Sequence, residues 1–72
     1  MNDGRRNEFD GMRVLRRPDV ERITGLGRST LYERAEAGTF PRPINLGGRA
    51  VGWIESEVME WLEARMADRT AA

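Results

Sequence analysis

Large apolar residues are spaced along this chain in short groups, and the spacing changes from one group to the next. Residues 1–11 mix Asn, Asp, Gly, Arg and Glu around Phe9, which predicts a disordered leader. Met12-Arg13-Val14-Leu15 is a short apolar stretch, either a brief strand or an extended lead-in. Pro18 then opens a first helix of about 18–24. Proline suits the start of a helix, and Asp19 and Glu21 complement its positive end. Val20 and Ile23, three apart, mark its inner face, Gly25 stops it, and Leu26 continues inward. A second helix follows from the Gly27 cap to the Gly38 stop, with Leu31 and Ala35 four apart as its buried stripe. Two short helices joined by a tight Gly-Leu-Gly turn form a helix-turn-helix pattern.

The periodicity then switches. Phe40-Pro41-Arg42-Pro43 cannot continue a helix, because two prolines hold the backbone extended. Ile44-Asn45-Leu46 and Ala50-Val51-Gly52-Trp53 read as two short strands around Gly47-Gly48-Arg49, a hairpin turn with a cation at its tip. A hairpin directly after a helix-turn-helix is a wing. The last helix is expected from Glu55 or Ser56 to about Asp68, with Ser56 as its cap. Ile54, Val58, Trp61, Leu62 and either Met66 or Arg65 form its apolar stripe. The expected architecture is mainly α with a small β-hairpin: a winged helix-turn-helix of three helices and a two-stranded wing. It occupies residues 12–68, between the 1–11 leader and a frayed tail at 69–72.

Composition narrows the chemistry. At 72 residues there is room for one small core. With no Cys and no His, disulfides, zinc–thiolate sites, His metal sites and imidazole catalysis are excluded. Carboxylate pairs such as Glu57 with Glu60 have no nucleophile beside them, so no catalytic residue, metal or cofactor is assigned and no enzyme is expected. No apolar run approaches the roughly 20 residues of a membrane span. Arg5 and Arg6 are followed by no apolar signal core. The expectation is a cytoplasmic protein with no membrane partner.

Charge changes the picture through its placement. The formal net charge is zero, and all twelve cationic side chains are arginine. Residues 13–53 hold eight of them (13, 16, 17, 22, 28, 34, 42 and 49) against four acids. Residues 54–72 reverse the balance, with two arginines against Glu55, Glu57, Glu60, Glu63 and Asp68. A neutral chain arranged this way can present one basic face, suited to phosphate. The second helix of a helix-turn-helix puts its N-terminal residues into the major groove. Arg28 is then placed to reach guanine or phosphate, Ser29 a phosphate or base edge, Tyr32 a phosphate, and Glu33 the amino group of cytosine. Gly48 lets the wing backbone approach a sugar-phosphate chain, and Arg49 at the tip can enter a minor groove. Each also has a plain reading as an exposed side chain on a solvated surface. Trp53, Trp61 and Phe40 read as core.

The order of motifs is specific. Leu15-Arg16-Arg17-Pro18-Asp19-Val20, Thr24-Gly25-Leu26-Gly27-Arg28-Ser29-Thr30-Leu31-Tyr32, Gly38-Thr39-Phe40-Pro41-Arg42-Pro43, Leu46-Gly47-Gly48-Arg49-Ala50-Val51-Gly52-Trp53 and Ser56-Glu57-Val58 with Trp61-Leu62 together resemble the AlpA family. These are small phage and prophage regulators related to phage excisionases, with a winged helix similar to the MerR type. The resemblance covers about residues 13–66, and Gly27 stands where the family often has Ser. It implies a sequence-specific binder of double-stranded DNA from a mobile element, acting as a transcriptional regulator or as an excisionase that bends an attachment site. The recognition-helix role would fall on Arg28, Ser29 and Tyr32 and the wing-tip role on Arg49, with Arg42 contacting phosphate. Self-association on DNA, basic face against the next copy's acidic helix, and a phage integrase are the further partners expected. The alternative is a protein-interaction module on the same scaffold, which would hold an integrase or repressor through apolar surface near Phe9 or Met66.

Overall fold

The computed structural model describes residues 12–69. The expected leader, 1–11, and the residues after Arg69 lie outside that span. In chain order the elements are β1 (Val14–Leu15), α1 (Arg17–Thr24), α2 (Arg28–Ala37), β2 (Ile44–Gly47), β3 (Ala50–Ile54) and α3 (Glu55–Asp68). Three helices and an antiparallel sheet in the order β1-β3-β2 make the winged-helix arrangement. The sheet is one strand wider than the two-stranded wing expected. The Met12–Leu15 stretch is a strand, with Val14 opposite Ile54 and Leu15 opposite Trp53. Two residues are too few to show a period-2 pattern, so its pairing partner settles its conformation.

Helix ends fall where the punctuation puts them. Gly25 closes α1 at φ 77°, a left-handed value that costs glycine little, and its N–H donates to the Glu21 carbonyl. The hydroxyl of Thr24 donates to the Val20 carbonyl and accepts from the Leu26 N–H, which fixes the tight turn into α2. Gly27 stands as N-cap of α2, as expected. Ser56 does not cap α3. The helix starts a residue before it at Glu55, with Ile54 in the cap position, because β3 runs straight into α3. The Glu55 N–H finds its acceptor instead in the Arg13 carbonyl, 2.8 Å away.

The core forms where the three helices meet the inner face of the sheet. Leu15, Val20, Leu31, Phe40, Trp53 and Val58 make one buried cluster, with Leu26, Val51 and Trp61 packed on it. Fully burying each of the aliphatic members is worth about 1.5–3 kcal/mol. Trp53 is fully buried and Trp61, expected in the core, is only half-buried against it, and both carry hydrogen bonds. Trp53 Nε1 donates to the Pro41 carbonyl at 2.9 Å, and Trp61 Nε1 to the Thr39 carbonyl at 2.8 Å. Together they clamp the extended Thr39–Pro43 connector, whose carbonyls no helix or sheet would satisfy. Phe40 meets Trp61 edge-on at 4.8 Å. Two stripe positions prove more peripheral than their spacing suggests. Ile23 is 37% exposed, because the chain leaves the helix just beyond it, and Met66 is 52% exposed, because α3 outruns the core.

Candidate nucleic-acid interface

With Leu31 and Ala35 buried, helical geometry turns Arg28, Ser29, Tyr32 and Glu33 outward, and all four are exposed. Tyr32 is braced from below, its ring 5.8 Å from that of Trp53 at a 58° tilt. A core contact therefore fixes the direction of an exposed side chain. The wing turn is Gly48-Arg49, between strands that end at Gly47 and resume at Ala50. Gly48 takes φ 57° at its first position, which a hairpin of native twist requires. The Gly47 N–H donates to Asn45 Oδ1 at 2.7 Å just before the turn, and the wing carries Arg49 at its tip.

The recognition helix and the wing share one surface feature. Arg16, Arg17, Arg28, Tyr32 and Arg49 line an open depression of about 240 Å³, and no carboxylate lines it. Arg28 and Arg49, which lie far apart in sequence, thus face one space, and neither forms an ion pair among the described residues. Arg16 Nε donates to the Val51 carbonyl at 3.0 Å, tying the start of α1 to the wing. Arg17 Nε lies 3.2 Å from Glu21 Oε2 in an ion pair without hydrogen-bond alignment.

Two other depressions have a different character. One of about 610 Å³ places Arg42 with Ile44, Trp61, Glu57 and Glu60. The other, about 230 Å³, is lined by Arg42, Tyr32 and Glu36. Arg42 is therefore separated from Arg28 and Arg49 and sits among carboxylates, with Tyr32 the residue common to both regions. Glu57, Glu60 and Glu63 are exposed on α3, while the half-buried Glu55 pairs with the exposed Arg13 at 3.7 Å. Phe9 lies outside the described residues. Arg16 and Arg17 belong to the basic segment of the sequence but are not among its expected site residues. The available signal was their position just before Pro18, at the start of a helix. What the sequence could not show is the 35-residue reach from Arg16 to Val51. No described helix is long and apolar enough to cross a membrane.

The family model of the prophage CP4-57 regulatory protein (AlpA) matches residues 13–66, which takes in every element from β1 to most of α3. The chain belongs to the AlpA family. It is 42% identical over 66 residues to the DNA-binding transcriptional activator AlpA of Escherichia coli K12, covering 82% of this chain and 93% of that protein. An uncharacterized protein of Enterobacteria phage P4, ORF88, is 47% identical over 57 residues, which is 79% of this chain and 65% of the phage protein. Both the four arginines of the depression and Tyr32 fall within the segment that matches the AlpA model.

Proposed function

We propose that this chain binds double-stranded DNA as a transcriptional regulator of a phage or related mobile element. The observation that carries the reading is the joint lining of one carboxylate-free depression by Arg28 and Tyr32 of α2 and Arg49 of the wing. A duplex laid across that face meets the N-terminal half of α2 in the major groove and the wing beside it. Arg28 and Glu33 then read base edges, Ser29 and Tyr32 hold phosphates, and Gly48 lets the wing backbone come close while Arg49 enters the minor groove. Arg42, beyond Tyr32, contacts the backbone at the edge of the footprint. The 42% identity to a protein described as a DNA-binding transcriptional activator supports the same reading.

We further propose the finer role of an excisionase, which the family resemblance suggests and with which the charge layout is consistent. Copies bound side by side set the basic face of one against the exposed Glu57, Glu60 and Glu63 of the next, bending an attachment site for an integrase. Fluorescence anisotropy tests both levels. The wild type should prefer DNA from its own upstream region over an unrelated duplex, and its signal should grow in steps on longer DNA. Arg28→Ala should cost about 1–3 kcal/mol of binding and blunt the preference, while Arg49→Ala should lower the salt slope by about one contact. Equal, weak binding to every duplex would overturn the regulator reading. A single-step signal on multi-site DNA would overturn the side-by-side role alone.

A further inference from the structure

We propose that Arg16 and Arg17 form a phosphate clamp between Arg28, which reads a base edge, and Arg49, which enters the minor groove, so that one backbone phosphodiester of duplex DNA seats in the depression between α1, α2 and the wing. This rests on the DNA-binding reading and adds to it a site that the recognition helix and wing tip do not make by themselves. Four guanidinium-bearing residues from the lead-in, the two helix starts and the wing turn line one concavity with no carboxylate. Arg17 pairs with Glu21, but Arg16, Arg28 and Arg49 form no ion pair among the described residues, so the grouping keeps an excess of positive charge that a bound anion relieves. The other two depressions set Arg42 against Glu36, or against Glu57 and Glu60, so neither has the excess of positive charge found here.

Arg16 is already ordered for the task. Its Nε is bonded to the Val51 carbonyl at 3.0 Å, which leaves the two terminal nitrogens of the fork for a ligand. A guanidinium held this way loses little further freedom when it grips a phosphate oxygen. Arg17 and Arg28 are the first residues of α1 and α2, so the positive ends of two helices border the same space. Duplex DNA fits better than a free anion, because the exposed Ser29 stands next to Arg28 in α2 and the exposed Gly48 next to Arg49 in the wing turn, so polar surface continues beyond the depression on both elements.

The test measures duplex affinity over a range of salt for the wild type, Arg17→Gln and Arg16→Lys, with thermal melts to confirm folding. Arg17→Gln removes a partly exposed charge; Arg16→Lys keeps the charge and removes the Nε–Val51 bond. Loss of a phosphate contact weakens binding about equally on upstream and unrelated duplexes and lowers the salt slope by about one. Arg17→Gln should therefore lose about fivefold to tenfold in affinity on both DNAs at moderate salt. Arg16→Lys should lose affinity with its slope nearly unchanged. Folded variants with wild-type affinity and slope would overturn the clamp and leave the DNA-binding reading standing. A wild type without salt-dependent duplex binding would overturn both. Inorganic phosphate binding that both variants abolish, with duplex binding untouched, would make the site a free-anion site and overturn the clamp.

Discussion

Gly52 shows how a single residue sets what the wing will tolerate. It lies in the central strand, opposite Ile44. A Cβ added there would stand 2.5 Å from Val14 Cγ1, 3.1 Å from the Leu15 carbonyl oxygen and 3.2 Å from Leu46 Cδ1. Val14 is stiff at χ1, and the carbonyl belongs to a paired strand, so little room can be made without shifting β1. Gly52→Ala should cost about 1–2 kcal/mol through overpacking. In a domain of this size each kcal/mol lowers Tm by roughly 4–8 °C, and a thermal melt followed by circular dichroism would read it. An unchanged Tm would mean that β1 is not held against β3 as described. In the sequence Gly52 looked like one more strand residue, since the contact that demands it comes from Val14, 38 positions earlier in the chain. Arg28, Tyr32 and Arg49 were legible because helix periodicity and turn chemistry are local. Arg16 was not, because its acceptor is the backbone of the wing.

At the scale of elements, the chain advertises its helices and turns and hides its third strand. Pro18, Gly25, Gly38 and the Gly47-Gly48 pair bracket α1, α2 and the wing closely. The helix α3 starts at Glu55, one of the two expected positions, but Ser56 is not its cap: the Arg13 carbonyl accepts from the Glu55 N–H, a tertiary contact in place of a side-chain cap. The connector between α2 and the wing depends in the same way on distant partners, since the two indole N–H groups of Trp53 and Trp61 hold its carbonyls. Trp61→Phe keeps an aromatic ring against Phe40 and removes one of these bonds. It should destabilise the fold by about 0.5–1.5 kcal/mol, measured by urea denaturation with an unchanged m-value. A loss below that range would show that the Thr39 carbonyl is served equally well by water.

For the whole molecule, zero net charge conceals a division of labour. Four of the eight arginines of 13–53, Arg16, Arg17, Arg28 and Arg49, line a depression shared by α1, α2 and the wing, whereas Glu57, Glu60 and Glu63 of α3 are exposed elsewhere. Overall charge gave no hint of a nucleic-acid partner; the segment count did, and the fold converts that count into a face. The most direct test is an amide NMR titration of the protein with duplex DNA from its own upstream region. Shifts should cluster at residues 16–17, 28–33 and 48–49, with a smaller shift at Arg42, while Glu57, Glu60 and Glu63 stay in place on a duplex short enough to hold one copy. No shifts at all, or shifts confined to α3 and the Arg42 depression, would contradict it.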